Sequence, residues 1–523
     1  MGIGRLVRVV GVVGAAGAVA VSLLAVPADA GSGGDTWPSA GGDRANTRFQ
    51  VSEHEISAAN AGDLDVDWVT TTGGDVSATP AVDQDRVYVP DWAGNLYAID
   101  RDTGAIVWTR TIASYTGIPG DKARVTPAIS GDTLVLGNQG PFGGGGKVLG
   151  INKNTGALLW ATQVESHFAA IIPQSATIHS GVAYVGVASQ EEAMSALVPG
   201  YVCCTFTGSM AALDVKTGAL RWKTTMAPPG YSGNAVWGSS PAIDTRRGSV
   251  YIATGNNYNI PAPALQCVAD AVGDPVATQA CLPANDYLDA IMALDMRTGA
   301  VKWATRALPY DAWTVDCIPF LGDGDNCPEP AGPDYDFGQA PALFRATGAG
   351  GSSRELVGAG QKSGQYWALN PDTGAVVWTT QTGPGGTAGG LQWGSAVDGR
   401  RIYTANANSN FVPWGPSGST DGMWAALDAL TGQILWQVAP PQGGGASGPV
   451  TTANGVVFGC TLDAVGHMYA LNAATGEVLW QYPSGGSCLS GAAIADGSLY
   501  WGSGYSNFGF GTPNNKLYGF SVH

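Results

Sequence analysis

Short apolar runs recur along this chain, each ending near an Asp or Asn, followed by Thr-Gly and by a second short run that ends in Trp. The copies are YAIDRDTGAIVW at Trp108, LGINKNTGALLW at Trp160, AALDVKTGALRW at Trp222, MALDMRTGAVKW at Trp303, WALNPDTGAVVW at Trp378, AALDALTGQILW at Trp436 and YALNAATGEVLW at Trp480. Each reads as a strand, a tight turn and a strand. Trp68 in LDVDWVT opens the series without its preceding strand. The chain ends on KLYGFSVH, which is that strand without its Trp.

Successive tryptophans stand 40 residues apart at the closest (Trp68 to Trp108) and 81 at the widest (Trp222 to Trp303), the range of four-stranded propeller blades with variable loops. A second pair of strands precedes each hairpin, as in ATPAVDQDRVYV (78–89) and SPAIDTRRGSVYIATGN (240–256). The predicted fold is all-β: an eight-bladed β-propeller with tryptophan-docking repeats, its last blade closed by the N- and C-terminal strands. Ring closure removes the sheet edges that invite aggregation. Eight of the 17 tryptophans are thereby assigned to packing between blades rather than to ligands.

Composition excludes the competing folds. Gly 77 and Pro 31 form about a fifth of 523 residues, and glycine at that density would cost about 1 kcal/mol at each helix-interior position. A disordered chain would not carry 17 Trp, 18 Tyr and 12 Phe. Lys+Arg 25 against Asp+Glu 41 leaves a net charge of -16, which excludes nucleic acid as a natural partner.

Arg5 and Arg8 precede an uncharged run from Val9 to Val26 that ends at Pro27-Ala28-Asp29-Ala30. This reads as a secretory signal peptide over 1–30. Gly11, Gly14 and Gly17 dilute the run and no stop-transfer cluster follows, which weighs against a membrane anchor. Residues 31–62 are then a lead-in segment and 63–523 the propeller. The mature protein is expected to be secreted or periplasmic, with no stable membrane span. Eight cysteines suit an oxidising compartment. Cys267 with Cys281 and Cys317 with Cys327 bracket short polar loops and Cys460 with Cys488 is a third candidate pair, leaving Cys203 and Cys204; connectivity is not readable from sequence. Neither a C-x-x-C zinc spacing nor a C-x-x-C-H haem attachment occurs.

In a four-stranded meander, the residues before strand A and after strand B lie at the same end of the ring, and polar candidates accumulate there. After strand B come Glu191 and Glu192 in VGVASQEE, Asn256 and Asn257 in IATGNNYN, and Lys362 in VGAGQKSGQY. Before strand A stand Arg124, Trp237, Asp334 with Asp336, and Gln392 with Trp393. A carboxylate with an amide carbonyl suits calcium rather than zinc. A lysine beside an acid polarises a carbonyl, and a tryptophan at the ring mouth can stack under a planar cofactor. Singly, each is also what a solvated loop carries; their convergence points to a site.

The residues resemble the quinoprotein alcohol dehydrogenases, eight-bladed propellers that hold pyrroloquinoline quinone (PQQ) and Ca2+. Within them the chain is similar to the polyvinyl-alcohol-dehydrogenase-like members without a cytochrome c domain. The resemblance runs from NTRF (46–49) and EISAANAGDLDVDW through every Thr-Gly hairpin, and VGVASQEE, CCTFTGS (203–209) and DAWTVDC (311–317) carry the subgroup. It implies oxidation of alcohols, polymeric secondary alcohols such as polyvinyl alcohol among them, by hydride transfer to the quinone. Glu191, Asn256 and Asp336 would hold calcium, Trp237 would stack on the quinone and Lys362 would meet its reactive carbonyls. Arg124, Gln392 and Trp393 would sit near its carboxylates or carbonyls, with Cys203 and Cys204 as a ring over it.

Thr314 occupies the place where the family's motif puts the catalytic aspartate. Asp336, 26 residues before Lys362, is chosen as the base, with Asp316 and Asp311 in reserve and 314–333 as a disulfide-bracketed insertion. The family's threonine and serine contacts have no clean match at IIPQSA (171–176) and Ala188. Electrons would leave to a separate acceptor, a soluble cytochrome c or a quinone. The alternative is a non-catalytic secreted scaffold that binds protein or polysaccharide, and a third reading is a quinoprotein ring that has lost its cofactor.

Overall fold

The computed structural model describes residues 1–2, 36–141 and 143–523; the signal peptide expected over 1–30 lies outside the described residues apart from Met1 and Gly2. The chain divides into two compact units, Met1–Gly31 and Ser32–His523, and the second is an eight-bladed propeller. Seven blades are four-stranded antiparallel meanders in chain order, spanning 81–111, 128–165, 177–225, 242–306, 342–381, 396–438 and 451–483. The eighth joins Ala493–Ala495, Ser498–Ser503 and Lys516–Val522 to the N-terminal strand Leu64–Thr71, with Trp68 opposite Gly519. No helix among the described residues is long and apolar enough to cross a membrane.

The Thr-Gly repeat has a double physical basis. The Asp or Asn ending strand C accepts the backbone N–H of the threonine three residues on, as Asp100 Oδ1 does from Thr103 at 2.9 Å and Asp295 Oδ1 from Thr298 at 2.9 Å, a side-chain-closed turn. The following glycine lies flat against the tryptophan of the preceding blade. From Gly104 on Trp68 to Gly476 on Trp436, seven such glycines have φ of 69° to 77°, and a Cβ on any of them would stand 2.5–2.9 Å from that indole. Only glycine combines the left-handed backbone with that approach. Seven of the eight repeat tryptophans also donate Nε1–H to a neighbouring backbone carbonyl at 2.9–3.2 Å.

The lead-in segment is a clasp that touches every blade at its first strand. Trp37 exchanges two backbone bonds with Val82 of blade 1, and Pro38 O accepts from Ile129 of blade 2. Arg44 reaches His179 of blade 3 at 2.7 Å and its carbonyl takes Ile243 N–H of blade 4. The carbonyls of Ala45, Thr47 and Arg48 then take Leu343, Val397 and Thr452 of blades 5, 6 and 7. Gln50 Nε2 donates to Ile494 O of blade 8 at 2.9 Å. One segment of fifteen or so residues thus gathers the inner strands of the whole ring. The cysteines pair as Cys203–Cys204, Cys267–Cys281, Cys317–Cys327 and Cys460–Cys488.

Candidate active site

Loops before strand A and after strand B enclose a cavity of about 670 Å³, within the range of cofactor and small-molecule sites. Blades 2 to 8 all contribute, among them Arg124, Trp237, Asp336, Gln392 and Trp393 from before strand A, and Gln139, Glu192, Tyr258, Lys362, Phe411 and Tyr505 from after strand B. The chain reaches this arrangement because each strand is short and its turn residues fall at the same end of the ring.

Asp336 joins blades 4 and 5. Its Oδ1 accepts the backbone N–H of Asn256 at 2.6 Å and its Oδ2 the indole N–H of Trp237 at 3.0 Å. Its own carbonyl accepts the backbone N–H of Lys362 at 2.9 Å. Gly255 makes the approach possible, because a Cβ there would stand 2.6 Å from Asp336 Oδ1. The Lys362 ammonium lies 2.7 Å from Asp334 Oδ1, 3.3 Å from Asp336 Oδ2 and 5.7 Å from the centre of the Trp237 ring. Burial alone would lower the Lys362 pKa, but Asp334, Asp336 and Glu192 outweigh it and hold the amine protonated. The Trp237 and Trp393 rings meet edge to face at 5.3 Å, and the Arg124 guanidinium lies 4.3 Å over Trp393.

The structure places the two adjacent glutamates differently. Both Glu191 and Glu192 stand at the start of the helix Glu191–Leu197, but Glu191 faces away from the cavity. Its carboxylate accepts the backbone N–H groups of Thr205 and Phe206, each at 2.7 Å, together with the Tyr201 hydroxyl. Glu192 lines the cavity, and its Oε1 is buried with no hydrogen-bond partner. Burial, reinforced by Asp336 and opposed by Lys362, pushes the Glu192 carboxyl up to about 8. A buried oxygen without a donor beside a second carboxylate is what a metal ion would satisfy.

Cys203 and Cys204 are likewise not on the cavity wall. Their loop packs behind the helix, where Cys203 N–H donates to Asn326 Oδ1 at 2.8 Å and Asn326 Nδ2 returns to Tyr201 O. Asn256 adjoins Asp336 through its backbone N–H and does not itself line the cavity; both its amide donors are spent on the Asn257 and Trp313 carbonyls at 2.9 Å, which leaves its Oδ1. Of the reserve aspartates, Asp316 caps Gly324 and Asn326 inside the insertion. Asp311 holds the loop that carries Asp336, accepting from Asp334 N at 3.1 Å and Tyr335 N at 2.7 Å. Neither lines the cavity.

Sequence reasoning missed Glu192 as the inward residue, Tyr258 on the wall, and Asp289. Asp289 is fully buried behind Asp311, and neither of its oxygens receives a donor. When protonated it donates to Asp311, and burial raises both carboxyls, Asp311 to about 7. The signal for Glu192 was present in its adjacency to Glu191; nothing in the pattern flags Asp289.

Comparison with known proteins identifies the family and the fold. A family model, PQQ_2, described as outer membrane protein assembly factor BamB, matches residues 26–305 and 362–522. A polyvinylalcohol dehydrogenase of Sphingopyxis sp. (strain 113P3) is 29% identical over 440 residues, 79% of this chain and 60% of that protein. One from a Pseudomonas species is 28% identical over 461 residues, 83% of this chain and 65% of that protein. The chain thus spans about six-tenths of the length of these curated relatives. The solved quinohemoprotein alcohol dehydrogenase of Comamonas testosteroni superposes with a TM-score of 0.68 at 21% identity, covering 93% of this chain and 80% of that one, and shares its fold. The family model covers well over half of the chain, which therefore belongs to that family, among its PQQ alcohol dehydrogenase-like members.

Proposed function

We propose that the protein oxidises alcohols to carbonyl compounds with PQQ and a divalent or trivalent hard cation. The observation that carries this reading is the Lys362–Asp336–Trp237 constellation at the wall of an aromatic cavity, with the orphaned Glu192 Oε1 beside it. The residues suit the quinone: two indoles, an arginine with no acid partner among the described residues, and a lysine held charged. They also suit a hard cation. Glu192 and Asp336 offer carboxylates, and Asn256, its N–H donors already spent, offers a carbonyl oxygen. Among the described residues no group of three or more His, Cys, Asp or Glu is disposed to hold a metal alone, so this set needs the amide and the ligand's own oxygens. Calcium is the cation proposed, and a solved fold neighbour is a europium-containing methanol dehydrogenase (TM-score 0.68, 16% identical).

When bound, the quinone would accept a hydride from the alcohol carbon, two electrons in all. Asp336 would take the hydroxyl proton as general base, held in place by Asn256 N–H, Trp237 Nε1–H and Lys362. The Lys362 ammonium would stabilise negative charge developing on oxygen, an effect strengthened where water is excluded. Arg124 would pair a carboxylate at the Trp393 side, with Gln392 beside it. The substrate class is proposed from the relatives' names, secondary alcohols including polymeric ones, and the electrons would pass to a separate acceptor such as a cytochrome c or a quinone. Secretion or a periplasmic location is proposed with it.

The family model's description favours a second reading, a binding propeller without chemistry. Reconstitution with PQQ and calcium followed by a dye-linked assay on primary, secondary and polymeric alcohols separates the two. Turnover dependent on both additions supports the enzyme. A protein that retains neither quinone absorbance nor turnover is a scaffold.

A further inference from the structure

Between the clasp and the floor of the large cavity lies a second, smaller space of about 60 Å³. Arg124, Trp393 and Tyr505 line both spaces. Beside the Tyr505 phenol and Thr126, whose hydroxyl is already given to Thr79 O at 2.7 Å, the polar groups around the small one are Arg48, Arg124 and the hydroxyls of Ser77, Thr79, Ser175 and Ser239, and no carboxylate lines it.

These groups are biased to one kind of hydrogen bond. Each hydroxyl already accepts: Ser77 from Trp92 Nε1 at 2.8 Å, Thr79 from Arg48 Nη2 at 3.0 Å, Ser175 from Thr126 N at 3.0 Å and Ser239 from Ala340 N at 2.8 Å. Among the described residues none of the four donates, so each keeps its proton. Arg48 is 1% exposed. Its guanidinium meets only neutral acceptors, Val450 O at 2.8 Å, Ala40 O at 2.6 Å and Thr79 Oγ1, which leaves two of its five N–H groups. Arg124 makes no ion pair or hydrogen bond among the described residues and lies on the Trp393 face. Burial lowers the pKa of both, Arg48 to about 9; no carboxylate acts on either, and only the Tyr505 phenol opposes the shift at Arg124.

A protein with 41 acidic residues has brought none of them to two guanidiniums at its axis. Buried charges are ordinarily paired, because an unpaired one loses its hydration with nothing in return. We propose that this axial cavity is an anion-binding site, in which Arg48, Arg124 and the four hydroxyls hold a small monovalent anion of halide or carboxylate size. The anion supplies the counter-charge that the chain withholds and ties the clasp to the cavity floor. Its source is either free anion from solvent or a carboxylate of a ligand bound above Trp393.

Crystals grown in bromide, with and without added PQQ, test this by anomalous scattering. The expected result is a bromide peak between Arg48 and Arg124 in the quinone-free protein. Its persistence in the PQQ-loaded crystals identifies solvent anion as the occupant, and its displacement there by a ligand carboxylate identifies the second source. In solution the melting temperature should rise saturably when gluconate is exchanged for chloride at constant ionic strength, and Arg48→Met should abolish that rise. Should Arg48→Met not fold, the Ser175→Ala/Ser239→Ala pair should weaken the chloride response several-fold. Bromide at surface positions only, or identical melting in chloride and gluconate, overturns the proposal.

Discussion

The Lys362 ammonium stands 3.3 Å from Asp336 and 2.7 Å from Asp334, so one cation is shared by two buried acids. The arrangement fixes which way Asp336 faces, since its carboxylate is also held by Asn256 N–H and Trp237 Nε1–H. Replacing Lys362 by Met leaves both acids uncompensated, a change worth about 3–5 kcal/mol for a buried pair. Lys362→Met is therefore expected to lower stability in urea melts and to abolish dye-linked turnover. Asp336→Ala should fold, since it removes an acid from an acidic cluster, but lose about 10²–10⁴ in kcat.

The two neighbouring glutamates give a sharper test of the metal assignment. Glu192→Gln should weaken calcium binding, measured by titration calorimetry or terbium luminescence, by tenfold or more. Glu191→Gln keeps one accepting oxygen and puts an NH2 donor against the other of the Thr205 and Phe206 N–H groups, and should cost about 1–3 kcal/mol while calcium affinity stays within a factor of two or so. The reverse ranking would return the metal site to Glu191.

The fold was legible because its signal is local and repeated. An Asp or Asn that closes a turn, and a glycine that meets a tryptophan 36 residues or more behind it, recur with every blade. The site was legible only down to the loop. Which of Glu191 and Glu192 faces inward depends on how one short helix is rotated, and neighbouring helix positions point about 100° apart, which spacing alone does not encode. Asp336 lies in a stretch, 306–361, that the family model leaves unmatched, after an insertion stapled by Cys317–Cys327. The clasp was invisible for another reason. Most of its contacts are backbone carbonyls meeting strands up to some 400 residues away, and a carbonyl has no sequence signature.

Clasp strength is testable at Asn46. The residue is 2% exposed, donates to Ala340 O and Pro341 O at 3.1 and 3.2 Å, and accepts from Ser240 Oγ, which links blades 4 and 5. It also sits at φ 58°, where asparagine is better tolerated than alanine. Asn46→Ala should destabilise the fold by about 2–4 kcal/mol, read from urea midpoints, although the residue lies far from the proposed chemistry.

Asp289 and Asp311 predict a pH dependence of the metal-free, quinone-free protein. The ordinary carboxyl value is 3.8, and burial raises Asp311 to about 7 and Asp289 well above its usual range. The native state therefore holds a proton that the unfolded chain has already released. That stabilisation is complete below pH 3.8 and is lost as the pH climbs through about 7. Melting temperatures should fall between mildly acidic and mildly alkaline pH. Asp289→Asn supplies a permanent N–H donor to Asp311 and should flatten that decline; an unchanged slope would place its cause elsewhere.

Blade docking can be probed with one methyl group in two settings. Gly374 has φ 73°, and a Cβ there would stand 2.5 Å from Trp303 Cε3. Gly131 has φ 56° with nothing within 4 Å of its Cβ position. Both Gly→Ala changes incur the left-handed backbone cost of about 1–2 kcal/mol. Only Gly374→Ala adds overpacking against the indole, a further 1–3 kcal/mol or so, because Trp303 is fixed by its Nε1 bond to Pro371 O at 3.1 Å. Gly374→Ala should therefore unfold at distinctly lower urea than Gly131→Ala, with a red shift in tryptophan emission before global unfolding. Equal midpoints would mean that the repeat glycines serve the turn alone, and that the indoles, not the close glycine contact, hold blade to blade.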